Sequence, residues 1–161
     1  MNPSAPVLPV EPVLPVVIVD AANVVGSVPD GWWRDRRGAT ERLRDRLAPL
    51  SHTGIAGVPG PIRIVLVAEG QARGVAPIPG VEVIDAPGVG DDAIVEFVSS
   101  ITDPRGESGP ADADLTDRDV TDRDVTDRPS TSPTVVTADR ELRSRVTALG
   151  ALVTGPTSIP R

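Results

Sequence analysis

The sequence predicts an α/β fold: a mostly parallel sheet of about five strands with helices on both faces. Three observations predict it. Short runs rich in Val and Ile alternate with stretches of helical periodicity, the signature of successive βαβ units. Several of these runs stop abruptly near carboxylates. Val16-Val17-Ile18-Val19 runs into Asp20-Ala21-Ala22-Asn23, Val81-Glu82-Val83-Ile84 leads to Asp91-Asp92, and Thr134-Val135-Val136-Thr137 runs into Asp139. Aromatic residues make up only 2% of the chain, so Val, Leu, Ile and Ala must fill the interior, which suits strands and short helices packed in layers.

The elements follow in order. Pro3, Pro6, Pro9, Pro12 and Pro15 recur every third residue, one per turn of a polyproline II helix, so residues 1–14 are expected to form an extended tail before a single domain over 15–161. The first strand is 16–20, followed by a loop carrying Gly26, Pro29 and Gly31. A helix is predicted over 34–48, with Ala39, Leu43, Leu47 and Leu50 on its apolar face. Ile62 to Ala68, broken only by Arg63, has the continuous apolar character of a strand covered on both faces. After a link over 69–80 rich in Gly and Pro, the weakest crossover, the third strand is 81–85. A second helix begins near Asp91 and buries Ala93, Ile94, Phe97, Val98 and Ile101. Strand four is 134–138. A third helix buries Leu142, Val146 and Leu149 and stops at Gly150, and strand five is 151–154.

Between Thr102 and Pro133 the pattern fails. Thr116-Asp117-Arg118-Asp119-Val120 repeats as Thr121-Asp122-Arg123-Asp124-Val125, and a third copy begins at Thr126. A five-residue period fits neither helix nor strand, and the segment has almost no apolar residues to offset the entropy of ordering. Residues 103–133 are expected to be a disordered acidic insertion. Nine acids against four arginines there account for most of the net charge of −7, so the low isoelectric point leaves room for an RNA-binding face elsewhere.

Composition narrows the chemistry. There is no Cys, Lys or Tyr and only one His, His52, which falls in a Ser- and Gly-rich loop and is expected to be solvated. Thiolate nucleophiles, Schiff-base and P-loop lysines and multi-histidine zinc sites are excluded. Carboxylates, hydroxyls and arginines remain. No apolar stretch approaches the roughly 20 residues of a membrane span, and no secretory leader is apparent, so the expected location is cytoplasmic, with no membrane partner.

The strand-end acids carry the candidate site. Asp20 and Asn23 can bring two oxygens to one point around a tight turn, or can simply cap and brace that turn. Asp91 and Asp92 open a helix, where one aspartate suffices as a cap and two adjacent carboxylates repel unless a cation neutralises them. Asp139 also starts a helix, and Thr137 can hydrogen-bond the site from two residues before it. Each acid alone is more often a cap; together, at one sheet edge, they point to a divalent metal held by oxygen. Glu96, one helical turn after Asp92, is a lesser ligand or solvated. Trp32-Trp33-Arg34-Asp35-Arg36-Arg37 is the candidate RNA grip, with Trp faces to stack on bases and arginines to meet phosphate, unless the rings pack under the loop and the arginines are solvated.

The Asp20-x-x-Asn23 turn, the Asp91-Asp92-x-Ile94 helix start and the Thr137-Ala138-Asp139-Arg140-Glu141-Leu142 segment together resemble the NYN branch of the PIN-like nuclease superfamily, over about 15–102 and 134–156. The resemblance implies a Rossmann-like, PIN-type sheet in the order 3-2-1-4-5, which sets the first and fourth strands side by side. It implies Mg²⁺ or Mn²⁺ and hydrolysis of RNA phosphodiesters. Asp20, Asn23, Asp91, Asp92 and Asp139 match the family's acidic-site positions. On this basis Asp20, Asp91, Asp92 and Asp139 are expected metal ligands, and Asp20, Asn23, Asp92 and Asp139 expected catalytic residues. Asn23, Trp32, Trp33, Arg34, Arg36, Arg37 and Thr137 are the expected substrate contacts. A further family acid, four residues past Asp139, is Arg143 here. The expected function is a metal-dependent endoribonuclease. The alternatives are a weak or inactive domain that binds RNA or a partner protein, and a nucleotide phosphohydrolase. A homodimer or an antitoxin-like partner is compatible with either.

Overall fold

The computed structural model describes residues 12–103 and 132–161. The expected tail over 1–14 and insertion over 103–133 lie almost wholly outside the described residues. The sheet is built from β1 (Val16–Asp20), β4 (Arg63–Ala68), β5 (Val81–Asp85), β6 (Thr134–Val136) and β7 (Leu152–Thr154). A two-stranded hairpin, β2 (Gly54–Ile55) with β3 (Val58–Pro59), stands apart and was not expected from the sequence. The helices are α1 (Ala21–Gly26), α2 (Arg36–Leu47), α3 (Leu50–Thr53), α4 (Gly90–Thr102) and α5 (Arg140–Ala148).

The main sheet runs β5-β4-β1-β6-β7, parallel throughout, which in chain order is the expected 3-2-1-4-5. β1 is the central strand. Val17, Ile18 and Val19 have no exposed surface, because β4 and β6 flank the strand and helices cover both faces. Alternation along the strands divides the core. Val17, Val19, Ile64 and Leu66 face Val24, Leu43 and Leu47 on one side. Ile18, Val65, Val67 and Val135 face Ile94, Val98, Leu142 and Val146 on the other. Each such aliphatic side chain contributes about 1.5–3 kcal/mol when fully buried, so the two layers hold the sheet from both faces.

Register fixes what meets at the carboxyl edge. Asp20 pairs with Val67, and Val19 pairs with Val136, so Thr137 follows level with Asp20 on the neighbouring strand. β6 stops at Val136, shorter than the predicted 134–138, because the Ala138 N–H is diverted to the Asn23 side chain. The chain after β1 turns directly into α1 rather than a loop, because Asp20 caps that helix. α2 begins at Arg36 rather than Arg34, because Trp32–Arg34 forms a separate 3₁₀ turn and Asp35 then accepts from the Gly38 N–H at 2.9 Å. The β4–β5 link contains no α-helix. A 3₁₀ turn at Gly70–Ala72 starts it, and Arg44 of α2 pins it by donating to the Ala76 carbonyl at 2.9 Å. Arg63, the one charge in its apolar run, sits at the strand start and pairs with Glu82. Gly150 ends α5 at φ +88°, the left-handed stop its position predicted.

Candidate active site

Asp20 ends the central strand only 7% exposed, and both its carboxylate oxygens are engaged. Oδ1 accepts from the Asn23 N–H at 3.2 Å, which starts α1, and Oδ2 accepts from the Thr137 hydroxyl at 3.0 Å. The same Thr137 oxygen accepts from the Asp139 N–H at 3.1 Å, so one buried hydroxyl ties the two strand-end aspartates together. Asp139 in turn caps α5, its Oδ1 accepting from the Leu142 N–H at 2.8 Å. Asn23 closes the ring from the other side, its side-chain oxygen accepting from the Ala138 N–H at 2.8 Å. Its NH₂ is the part of the amide left to meet a ligand.

The third acidic contribution comes from the α4 terminus. Neither Asp91 nor Asp92 caps that helix. The cap comes from across the sheet edge, where Glu69, directly after β4, accepts from the Gly90 N–H. Asp91 lies in the first turn, half-buried, among Asp139, Glu69 and Glu141, with Arg145 opposing them. Asp92 is turned outward, and its carboxylate accepts from Arg145 at 2.9 Å in an exposed pair. Of the two adjacent aspartates the structure brings Asp91 into the acidic group and directs Asp92 to a guanidinium.

The charges are in tension. Burial pushes the Asp20 carboxyl up from 3.8 to about 6, against the pull of its Asn23 and Thr137 hydrogen bonds and with smaller upward pushes from Asp91 and Glu69. Asp91 is raised too, chiefly by burial, then by Asp139 and Glu69. Such a group favours either protons or a cation. Among the described residues no three acids or His stand close enough to form an all-protein cage. Mg²⁺ does not need one, because it keeps several waters and binds through one or two carboxylates. The donors are all hard oxygens, buried at Asp20 and half-buried at Glu69, Asp91 and Asp139, and they fit a hydrated hard cation.

The remaining predicted residues divide into several groups. Thr137 has no exposed surface, and its hydroxyl donates to the Asp20 carboxylate and accepts from the Asp139 N–H. Trp32 is half-buried against the core, its ring edge-on to Trp33 at 6.2 Å between centroids and covered by the Arg36 guanidinium at 5.4 Å. Trp33 is 54% exposed, and Arg34, Arg36 and Arg37 are exposed beside it. Arg37 also pairs with Glu41 one turn along α2. Arg143 and Glu96 are exposed, and His52 is exposed on α3. Glu69 was missed in the sequence. Its signal was available, since it follows the apolar run Ile62–Ala68 as directly as Asp20 follows its own.

No family model matches the chain, and no curated protein sequence matches it. Solved structures do match. The chain is similar to Rae1 (YacP) from Bacillus subtilis with a TM-score of 0.60 at 18% identity, covering 89% of this chain and 70% of that one. Against the W164L mutant of the same protein the TM-score is 0.59 at 13% identity, covering 91% of this chain and 72% of that one. At such identities the likeness is one of fold. It shows a shared α/β fold, in keeping with the observed parallel sheet and its strand order.

Proposed function

We propose that the chain is a metal-dependent endoribonuclease acting at the carboxyl edge of the sheet. One observation carries the reading: the buried Asp20 carboxylate, raised to about 6, is bridged through Thr137 to Asp139 and sits in the field of Asp91 and Glu69. Asp20 also caps α1, but its burial beside other acids is an arrangement that a bound cation would relieve. The shared fold with Rae1 and the NYN-like motifs of the sequence support the same class.

Asp20 and Asp139 would hold the cation together with water, with Asp91 adding negative charge nearby and Asp92 turned to Arg145. Bound there, Mg²⁺ or Mn²⁺ supplies Lewis acidity toward a phosphate oxygen, an activated water and charge stabilisation for the departing 3′-oxygen. The chain's own groups do the positioning. Thr137 fixes the aspartates' orientation, the Asn23 NH₂ is available to a phosphate oxygen or water, and the Arg34, Arg36 and Arg37 guanidiniums oppose the charge of an approaching RNA backbone. No histidine base is needed, and His52 is exposed on α3.

The test is cleavage of single-stranded RNA in Mn²⁺. Asp20→Asn and Asp139→Asn should each lower the rate by about a hundredfold or more, the scale of losing a preorganised electrostatic contact at a reacting centre. Undiminished cleavage by both variants rules the site out. Arg143, exposed where the family pattern has an acid, favours a second reading, a domain that binds RNA without turning it over. RNA affinity without cleavage at high protein concentration would select it.

A further inference from the structure

A cavity of about 180 Å³ opens beside the acidic group, on the side of α1 and α2. Its apolar floor is Ala21, Val25 and Ala72, and Trp32 with Arg36 stands along it. Glu69 supplies a carboxylate, and Thr40 of α2 also lines it. Two of these residues tie it to the site: Ala21 follows Asp20 directly in the chain, and Glu69 acts electrostatically on both Asp20 and Asp91. The Thr40 hydroxyl is turned back to the Arg36 carbonyl at 2.9 Å, which leaves the methyl end of that side chain to the cavity.

We propose that this cavity is a nucleobase slot, which takes one unpaired base of a single-stranded RNA while the adjoining phosphate lies at the carboxylates. The inference rests on the endoribonuclease reading and deepens it by naming an unpaired, flipped-out nucleotide as what the site recognises. The volume suits one planar ring system and excludes a base pair. An indole and a guanidinium form a wall of the kind on which bases stack, with little dependence on sequence. The Arg36 guanidinium lies over the Trp32 ring, so the pair is held as a unit and presents a flat, cationic flank to an anionic strand. Arg34 and Arg37 flank it in the chain and are exposed, so backbone phosphates on either side of the inserted base meet positive charge. The Glu69 carboxylate, of which one oxygen is occupied by the Gly90 N–H, has its other oxygen to accept from the amino or imino edge of a base. Trp33, the exposed ring, lies outside the cavity and is not the stacking surface that holds this base.

The experiment is equilibrium binding of a short fluorescein-labelled single-stranded RNA to the full chain in Ca²⁺, by anisotropy, with the RNA checked for integrity on a gel. A series of oligonucleotides carries one abasic residue at each position in turn. Wild-type protein should show one position at which base removal weakens binding about tenfold, the scale of one lost stack. Ala72→Phe, which fills the cavity from its floor, should bind about tenfold more weakly and lose all sensitivity to that abasic position. Arg36→Gln, an exposed change that leaves the fold intact, should show the same loss of sensitivity if Ala72→Phe fails to fold. Trp33→Leu should retain it. Equal sensitivity in wild type and both slot variants, a flat abasic profile in wild type, or no binding at all overturns the slot. Cleavage in Mn²⁺ with a flat abasic profile removes the slot and leaves the nuclease reading standing. A slot-dependent abasic profile without Mn²⁺-dependent cleavage removes the nuclease reading and leaves the slot.

Discussion

Asp20→Asn should make the metal-free protein more stable at neutral pH, although it alters the best-connected side chain of the site. Asp20 is 7% exposed, and its carboxyl is raised from 3.8 to about 6, chiefly by burial. The folded-state value lies above the unfolded one, so the unfolded chain gives up this proton first. Stability from the group is therefore whole below about pH 3.8 and declines as the pH rises through about 6. Above that pH the full loss is about 3 kcal/mol. Asparagine carries no charge to desolvate and recovers that amount. Its side-chain oxygen can still accept from the Asn23 N–H, but its NH₂ cannot accept from the Thr137 hydroxyl, a cost of about 1 kcal/mol. The net gain of about 2 kcal/mol corresponds to a rise of roughly 4–8 °C in melting temperature for a chain of this size. The assay is thermal or urea unfolding in EDTA from pH 3.5 to pH 8, a window that spans both values. Wild type should lose stability across that range, and Asp20→Asn should show a flatter profile and cross above it. An Asp20→Asn protein less stable than wild type at pH 8, with the pH slope unchanged, refutes the claim that burial strains this carboxylate.

Further predictions concern its neighbours. Thr137→Val keeps the shape but leaves the buried Asp139 N–H without an acceptor, and should cost about 1–3 kcal/mol by urea denaturation while raising the Asp20 carboxyl further. Glu69→Gln should keep the amide-oxygen cap on Gly90 while removing a charge that pushes Asp20 and Asp91 up, so the pH slope of stability in EDTA should shrink. Arg145→Met should change stability by less than about 1 kcal/mol, because its pair with Asp92 is exposed, yet should raise the Asp91 carboxyl by removing the cation that opposes it; side-chain carboxyl NMR titration would follow that shift. In wild type, millimolar Mn²⁺ should raise the melting temperature, and in Asp20→Asn that rise should be lost.

How much of this was legible in the sequence depended on how local the governing physics was. Val16–Asp20 and Ile62–Ala68 were legible because a strand covered on both faces needs an unbroken apolar run. Gly150 was legible because a left-handed helix stop favours glycine. α1 was not, because six residues carry too little periodicity and their helix is set by the Asp20 cap and by packing on Leu43 and Leu47. The end of β6 was misplaced by two residues because a side chain from another part of the chain, Asn23, takes the Ala138 amide. In the site, Asp20, Asn23 and Asp139 lie where strand-end position put them. The different placements of Asp91 and Asp92 depend on Arg145, 53 residues away, and no local rule distinguishes two adjacent aspartates in a first turn. Glu69 was overlooked for a related reason. Its role is to cap α4 from across the sheet edge, and a cap supplied by another strand leaves no mark near the helix it serves. The bond from Thr137 to Asp20 was not legible either, because only the register of β1 with β6 sets the two side by side.

The most direct test of the central claim is a crystal of the full chain soaked in Mn²⁺, with anomalous scattering recorded at the manganese edge. The expected result is an ion held by carboxylate oxygens of Asp20 and Asp139, with water completing its shell and Asp91 nearby. An anomalous map with no peak between those two side chains, or with manganese bound only elsewhere on the surface, would contradict it.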